Sequence, residues 1–222
     1  MIQLQNVTFA YPSHIQQPVL SHLSLNLRLD ICTGLIGRNG TGKTTFGLLL
    51  MGLLQPVDGN IYLNGKNLKD SPLHQIGSQI GYLFQNPRQQ LFADTIIDEL
   101  LFPFTLQQTD SCEVRKRADR LLTLFQLDQN RNTNPLSLST GEQKRLVLAA
   151  LMMNDPDYLI LDEPTNGLDQ ESRGILGNLI TERIMMEKGL LLISHDQPFV
   201  NQHCHSVLSM NEKNVREVAC AT

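Results

Sequence analysis

A glycine-rich segment has residue types and a spacing that suit the binding of phosphate groups. Residues 37–44 read Gly-Arg-Asn-Gly-Thr-Gly-Lys-Thr and complete the pattern G-x-x-x-x-G-K-[ST]. The glycines permit turns that a side chain would block, so that successive N–H groups can point at one anion. Lys43 is predicted to reach the β- and γ-phosphates, and the Thr44 hydroxyl is predicted to be a ligand of Mg²⁺. The segment therefore predicts binding of a nucleoside triphosphate.

Two carboxylates follow an apolar run in the second half of the chain. Tyr158–Leu161 is followed directly by Asp162 and Glu163. An acid at the end of a buried strand beside a phosphate loop can hold Mg²⁺ directly or through water. Glu163 can then polarise a water molecule for attack on the γ-phosphate. Paired acids that merely end a strand in solvent are the alternative, and the phosphate loop favours the catalytic interpretation.

A histidine follows another apolar run, Leu190–Ser194. We expect this run to be a strand beside the one that precedes Asp162. His195 would then contact the γ-phosphate and hold the attacking water. A histidine at a strand end is more often structural when it is taken alone, and here its position relative to the other elements favours the functional role.

These side chains need a sheet that brings several strand ends together. Ile31–Ile36 is predicted to be a buried strand and Thr45–Leu54 a helix, which gives the phosphate loop its expected strand and helix on either side. Further strands are predicted at Ile2–Phe9, at the alternating Leu23, Leu25, Leu27 and Leu29, at Asn60–Leu63 and at Ile80–Phe84. A helix predicted from about Glu171 to Glu187 separates the two apolar runs that precede Asp162 and His195. Alternation of strands with helices favours a parallel sheet that has helices on both faces.

Residues 85–153 show helical patterns and no strand pattern. On a helix at Glu113–Leu127, one stripe of apolar residues is predicted to be a packing face, made of Val114, Ala118, Leu121, Leu122 and Phe125. We therefore predict a single domain whose core is formed by residues 1–84 and 154–222, with a helical subdomain at residues 85–153 inserted into it.

Composition and charge narrow the possible functions. With 222 residues and 41% hydrophobic residues, the composition is typical of a soluble globular protein. With a net charge of −4, the chain lacks the overall positive charge that nucleic-acid binding proteins usually carry. No apolar run approaches the roughly 18 residues that span a bilayer, and the N-terminus lacks a signal-peptide pattern. We expect a cytosolic protein whose four cysteines, Cys32, Cys112, Cys204 and Cys220, are reduced and unpaired.

Over nearly its whole length the chain resembles the nucleotide-binding subunit of an ABC transporter. The segments that carry the resemblance are the signature Leu138–Glu142, the Q-loop Gln85, the Walker B pair Asp162 and Glu163, the D-loop Gly167–Asp169, the switch His195 and the adenine-stacking Tyr11. The resemblance implies an α/β fold of the P-loop NTPase type. This fold has a mostly parallel core sheet, an N-terminal antiparallel β part and an inserted α-helical subdomain.

The resemblance also implies ATP and Mg²⁺ as cofactors, ATP hydrolysis, and two subunits that face each other head to tail. Ser139 and the Gly141 backbone would complete the partner's site at a helix N-terminus, where the dipole favours the γ-phosphate. ATP would close the pair, hydrolysis would reopen it, and Asp169 would connect the two sites. The predicted nucleotide-binding residues are Tyr11, Gly37, Arg38, Asn39, Gly40, Thr41, Gly42, Lys43, Thr44, Thr45, Gln85, Ser139, Gly141 and Asp169. The predicted metal ligands are Thr44, Gln85 and Asp162, and the predicted catalytic residues are Glu163 and His195.

The signature departs from the usual Leu-Ser-Gly-Gly-Gln at two positions. Thr140 keeps its backbone N–H but adds bulk near the phosphate. Glu142 introduces an acid, which would weaken ATP contact unless a cation such as Lys144 or Arg145 pairs with it. Because Glu163 and His195 are both intact, hydrolysis is still expected.

The segment Phe84–Phe92 resembles the Q-loop stretch of energy-coupling-factor ATPases, which serve the uptake of vitamins and transition metals. Thr95–Leu100 with Phe102, and Phe9–Pro12, continue this likeness. The resemblance implies a groove for a helix of an integral membrane partner, a second ATP-binding subunit that is either identical or related, and a location at the cytoplasmic face of the membrane. The alternative is that Gln85-Asn86-Pro87 merely forms a turn that leads into the helical insertion.

Two other functions compete with transport. Soluble ABC ATPases that act on nucleic acid or ribosomes usually carry tandem ATPase units, long coiled coils or zinc-bearing insertions. This chain has one phosphate loop and no cysteine pairs, so we expect no nucleic-acid partner. A regulatory ATP sensor without hydrolysis is the other alternative, and the intact Glu163 argues against it.

Overall fold

The computed structural model describes residues 1–211 and 214–218, which form ten strands and seven α-helices. The strands are β1 (Ile2–Phe9), β2 (Leu20–Leu27), β3 (Cys32–Ile36), β4 (Asp58–Leu63), β5 (Lys66–Asn67), β6 (Ile80–Leu83), β7 (Tyr158–Asp162), β8 (Leu190–Ile193), β9 (Ser206–Asn211) and β10 (Asn214–Val218). The helices are α1 (Lys43–Leu50), α2 (Leu73–Gln79), α3 (Ile96–Leu106), α4 (Cys112–Leu124), α5 (Thr140–Asn154), α6 (Gln170–Met185) and α7 (Gln197–His203).

The larger sheet has the strand order β10-β9-β3-β8-β7-β6. Its strands from β9 to β6 run parallel, and β10 pairs antiparallel with β9. Every residue of β7 and β8 is buried, because helices and the second sheet cover both faces of these strands. The C-terminal ends of β3, β8, β7 and β6 therefore meet at one edge. The prediction that the strand before His195 neighbours the strand before Asp162 is confirmed.

The N-terminal part forms a separate antiparallel sheet with the order β2-β1-β4-β5. The predicted one-sided burial is present in part: Leu23 and Leu27 are buried, Leu25 is half-buried, and the polar residues between them are exposed. The strand ends at Leu27, before the predicted Leu29, which is half-buried. This buried face packs with Phe46 and Leu49 of α1 and with Ile160 of β7 in one hydrophobic cluster. The antiparallel sheet thus holds α1, and with it the phosphate loop, against the larger sheet.

Within the described residues no strand lies between β6 and β7, and α3, α4 and α5 fill this part of the chain. The predicted stripe packs inward: Ala118 and Leu122 of α4 and Phe125, directly after its end, are buried in a second hydrophobic cluster, and Val114 and Leu121 are partly buried against it. The fold predicted from the sequence, with its parallel core, antiparallel N-terminal part and helical portion, is confirmed. The domain boundaries at residues 84 and 154 stay a prediction.

The helix after the phosphate loop differs from its predicted bounds. It begins at Lys43 rather than Thr45 and ends at Leu50 rather than Leu54. Gly52 has a φ of 73°, and its N–H donates to the Leu49 carbonyl while the Leu53 N–H donates to the Leu48 carbonyl. This pair of bonds is the Schellman motif, which ends a helix at a left-handed glycine.

Three of the cysteines lie in the described part of the chain, and all three are free thiols, in agreement with the prediction. Cys32 and Cys204 are distant in sequence, but their sulfur atoms lie 3.3 Å apart. The prediction for Cys220 falls outside the described residues. No helix in the described ranges combines the length and apolar character needed to cross a membrane.

Candidate functional site

A cleft of about 500 Å³ opens at the edge where the parallel strands end. The predicted site residues that line it are Tyr11, Asn39, Gly40, Gly42, Lys43, Thr44, Thr45, Gln85, Asp162, Glu163 and His195. They come from the segments that follow β1, β3, β6, β7 and β8. The structure therefore gathers in one place most of the residues that the sequence analysis selected.

The lysine of the phosphate loop forms hydrogen bonds to main-chain carbonyl groups of the same loop. Lys43 Nζ donates to the carbonyl oxygens of Gly37 and Arg38, at 2.9 and 3.1 Å, and the Thr41 hydroxyl also donates to the Arg38 carbonyl at 2.9 Å. Gly42 is the N-cap of α1, with a φ of 101° and no side-chain cap. The N–H groups of the first helical turn thus have no capping oxygen from that residue, an arrangement that suits an anion.

Tyr11 lies beside the N-terminal turn of α1. Its hydroxyl is 3.0 Å from Thr45 Oγ1, and its ring packs edge-to-face on Phe9 with the ring centroids 5.0 Å apart. These contacts fix the orientation of an aromatic ring that is 37% exposed at the cleft. A fixed, exposed ring can stack on a planar base. The stacking role of Tyr11 stays a prediction.

Asp162 is 1% exposed and lies next to hydroxyl groups. Burial raises its pKa, an effect that hydrogen bonds from the Thr44 and Tyr82 hydroxyls oppose. The Tyr82 hydroxyl donates to Asp162 Oδ2 at 3.3 Å, and burial raises the pKa of this phenol, so that it remains a donor. A buried carboxylate beside a threonine hydroxyl offers the oxygen ligands that Mg²⁺ prefers. The donor set predicted for the metal therefore fits the ion.

Glu163 and His195 are in direct contact, with Oε2 and Nδ1 2.8 Å apart. A carboxylate can only accept, so Nδ1 carries the proton in this hydrogen bond. The Glu163 side chain is 7% exposed and that of His195 58% exposed, so the histidine covers the acid on the side of the solvent. Glu163 also has a φ of 50°, in the left-handed region that side chains rarely adopt.

The signature lies outside this cleft. Ser139 is the N-cap of α5 and Gly141 lies in its first turn, as predicted, but neither lines the cleft. Gly141 lies against the D-loop, where a Cβ atom would be 3.4 Å from the Gly167 carbonyl oxygen. Asp169 also lies away from the cleft and caps α6 by accepting from the Ser172 N–H at 2.8 Å, a bond that lowers its pKa. One chain therefore holds the two parts of the predicted site at different places.

Glu142 forms a capping box, and among the described residues it forms no ion pair with Lys144 or Arg145. Its Oε2 accepts from the Ser139 N–H at 2.9 Å and from the Ser139 hydroxyl at 2.7 Å, while the Glu142 N–H donates to Ser139 Oγ at 3.3 Å. These bonds lower the pKa of Glu142. Lys144 points to another loop, and Arg145 donates to the Phe125 carbonyl. The acid therefore serves the start of α5, because helix N-termini need acceptors for their free N–H groups.

Replacement of Glu142 by Ala is expected to lower the free energy of unfolding by about 1 kcal/mol, as loss of a cap does. The matched variant Glu142→Gln keeps an acceptor and is preferred at the same capping-box position, so it should lose much less. Urea unfolding of the two variants and the unmodified chain measures the difference. Equal stability of all three would contradict the capping function.

Four residues that the sequence analysis missed belong to the site or support it. Val19 and Asn166 line the cleft, Tyr82 donates to Asp162, and Lys144 is buried against the loop after β7. Asn166 follows Glu163 closely in sequence, which is a signal that could have been used. The other three reach the site through folding alone, and no motif marks them.

The fold and the cleft define a P-loop domain that binds a nucleoside triphosphate. The sequence model of the ABC transporter family matches residues 20–166. The chain belongs to this family, whose ATP-binding domains are ATPases. An inferred ABC transporter ATP-binding protein of Pyrococcus furiosus is 35% identical over 97% of this chain and 82% of its own length. YkoD of Bacillus subtilis, an inferred HMP/thiamine import ATP-binding protein, is 34% identical over 96% of this chain and 38% of its own length.

Solved structures agree with the fold. CbiO1 of Clostridium perfringens, described as part of the ABC transporter complex CbiONQ, has a TM-score of 0.84 at 27% identity, over 97% of this chain and 86% of that one. A dimeric ATP-binding cassette, MJ0796, solved with ADP and Pi, has a TM-score of 0.89 at 24% identity and covers both chains fully. Several relatives are longer proteins, of which this chain spans between 31% and 49%.

Proposed function

We propose that the chain is the ATP-hydrolysing subunit of an importer of the energy-coupling-factor type, which takes up a vitamin or a transition-metal ion. The Phe84–Phe92 segment, the likeness to CbiO1 and the relation to YkoD support this assignment. In this proposal the chain binds integral membrane subunits at the cytoplasmic face of the membrane. It also pairs with a second ATP-binding subunit, identical or related, and has no nucleic-acid partner.

The observation that carries the proposal is the division of the site within one chain. The cleft contains the phosphate loop, the two carboxylates and His195, whereas the signature Ser139 and Gly141 lie outside it. A second subunit placed head to tail would bring its signature helix to this cleft. The positive end of that helix would face the γ-phosphate, which ADP lacks, so ATP would favour the closed pair.

Within each cleft the residues have separate roles in hydrolysis. Lys43 and the loop N–H groups bind the phosphates, while Thr44, Asp162 and Gln85 would hold Mg²⁺ directly or through water. When it is bound, the metal ion neutralises phosphate charge that would otherwise oppose attack. Glu163 accepts a proton from the attacking water. His195 contacts the γ-phosphate and holds this water, and it also orients the Glu163 carboxylate through the 2.8 Å contact.

An aromatic patch, Phe92 and Phe102, fits the proposed membrane partner. The two rings are 62% and 37% exposed and pack edge-to-face with their centroids 4.5 Å apart. The main chain at Phe92 and Ala93 is held by Glu99, which is 5% exposed. The Glu99 carboxylate accepts hydrogen bonds from the N–H groups of Phe92 and Ala93 at 3.0 and 2.9 Å. Exposed aromatic side chains on a fixed backbone are typical anchors of protein interfaces.

Replacement of Phe92 and Phe102 by Ser is expected to reduce recovery of the membrane partner about tenfold or more, because buried aromatic anchors dominate interface energies. The ATPase rate of the isolated chain should not change, since the patch is distant in sequence from the catalytic residues and does not line the cleft. Leu106→Ser, at a 68% exposed position of the same helix, is the control. Equal recovery with the patch variant and the control would show that the partner binds elsewhere.

The proposal is tested by co-purification. A tagged Glu163→Gln variant is trapped with ATP, and the proteins that accompany it from detergent-solubilised membranes are identified. Recovery of an integral membrane scaffold together with a small substrate-binding membrane protein is the expected result, and the latter would indicate the cargo. Recovery of ribosomes or nucleic acid without a membrane protein would overturn the proposal in favour of a soluble ATPase.

A further inference from the structure

Lys144 is a buried cation whose three hydrogen bonds converge on one loop. It lies in the second turn of α5 and is 2% exposed. Its Nζ donates to the carbonyl oxygens of Glu163 at 2.7 Å, Pro164 at 3.3 Å and Asn166 at 2.7 Å. An ammonium group has three N–H donors, so all of them are used. The lysine therefore holds the backbone of the loop that follows β7.

The loop contains a conformation that needs such support. The backbone of Glu163 is left-handed, with a φ of 50°. Left-handed conformations of residues other than glycine persist only where the surroundings fix them, and they occur often at functional sites. Here the Glu163 N–H donates to the Ile193 carbonyl at 2.8 Å, and the Glu163 carbonyl accepts from Lys144. One peptide group on each side of the carboxylate-bearing residue is thus held in place.

Burial and the nearby carboxylates act in opposite directions on the charge of Lys144. Burial lowers its pKa to about 8, and the neighbouring charges of Glu163 and Asp162 oppose that change. The ammonium group forms no ion pair among those found in the described residues, and its hydrogen bonds go to main-chain oxygens. It therefore acts on the course of the backbone, while the Glu163 carboxylate stays in contact with His195.

We propose that Lys144 is a positioning residue that sets the orientation of Glu163 and joins it to the signature helix. The proposal rests on the role of Glu163 as general base. Ser139 of the signature caps α5, and Lys144 of the same helix holds the loop that follows β7. The helix α5 therefore connects the signature with the loop that carries Glu163. A nucleotide that draws the N-terminus of α5 toward a second subunit would therefore also act on the loop that carries Glu163 in its own chain.

The test is steady-state ATPase kinetics of Lys144→Met, which keeps the length of the side chain but has no donor. We expect kcat to fall about 10²-fold, as misplacement of a catalytic group by about 1 Å does, with the KM and Kd for ATP unchanged. Arg145→Met is the matched control, since Arg145 also donates to a carbonyl, that of Phe125 at 2.8 Å, away from the catalytic loop. This control should keep its kcat.

Two further variants separate positioning from general stability. In the Glu163→Gln background, Lys144→Met should not lower kcat further, because both changes act through one group. An additive loss, or a fall in ATP affinity that parallels kcat, would overturn the proposal. Lys144→Gln retains two N–H donors and should have a kcat between those of Lys144→Met and the unmodified chain. It serves in place of Lys144→Met if thermal unfolding shows that the latter does not fold.

The same measurements distinguish failure of the positioning role of Lys144 from failure of the general-base role of Glu163. If Glu163→Gln alone leaves kcat unchanged, the role of Glu163 as general base is wrong. If Glu163→Gln lowers kcat but Lys144→Met does not, Glu163 keeps its role and the positioning role of Lys144 is wrong.

Discussion

Replacement of Glu163 by Gln is expected to lower kcat for ATP hydrolysis about 10²-fold or more, as loss of a general base does. The amide keeps the size of the side chain and can still meet His195, but it cannot accept the proton of the attacking water. ATP binding should survive, because the phosphate contacts come from residues 37–45, which are unchanged. The variant should therefore bind ATP and hold it.

Single-turnover hydrolysis, nucleotide titration and light scattering measure these three properties. We expect slow hydrolysis, an unchanged Kd for ATP and an ATP-dependent dimer that accumulates because it is not reopened. Glu113→Gln, an exposed acid in the first turn of α4, controls for the loss of one negative charge. Unchanged turnover in Glu163→Gln would refute the role as general base. A chain that hydrolyses no ATP even with Glu163 intact would fit a regulatory sensor instead.

The sequence predicted the part of the site that short-range patterns determine. The phosphate loop needs glycine, lysine and threonine at fixed spacing, and an acid or histidine after an apolar run marks a strand end. Because parallel strands end at one edge, the clustering of Lys43, Asp162, Glu163 and His195 followed from the predicted sheet. The fold class was predictable for the same reason, since β7 and β8 consist almost entirely of buried apolar residues.

Interactions between distant segments could not be predicted in this way. The sequence left open whether a cation such as Lys144, a neighbour along the chain, pairs with Glu142. In the helix the two side chains point to different surroundings: Glu142 turns back to Ser139, and Lys144 turns inward to Glu163. Tyr82 is a similar case, because its contact with Asp162 joins residues 80 positions apart. Only the packed sheet brings such pairs together.

The end of α1 illustrates a different limit. The apolar run continues through Leu54, so that hydrophobic pattern alone favoured a longer helix. Gly52, whose Schellman bonds stop the helix at Leu50, was a local signal that the pattern obscured. A glycine within an apolar run therefore carries more information about a helix end than the run itself does.

Replacement of Lys43 by Ala is expected to weaken ATP binding by about 10²- to 10⁴-fold. Hydrogen bonds to charged groups contribute about 1.5–3 kcal/mol each, and two phosphate contacts of the ammonium group would be lost. In the described structure Lys43 Nζ also holds the carbonyl oxygens of Gly37 and Arg38, so the variant loses the closed form of the loop as well. Lys43→Ala should therefore lose ATP binding itself, whereas Glu163→Gln should keep ATP binding and lose hydrolysis.

Calorimetric titration with ATP measures the loss, and Lys66→Ala, at an exposed position of β5, is the control for net charge. Lys43→Arg keeps the charge but places a wider, planar group where Lys43 is 7% exposed, so it should not restore binding. A Kd for ATP that stays the same in Lys43→Ala would mean that the loop N–H groups alone bind the phosphates. Full recovery in Lys43→Arg would mean that charge, and not the shape of the ammonium group, determines the affinity.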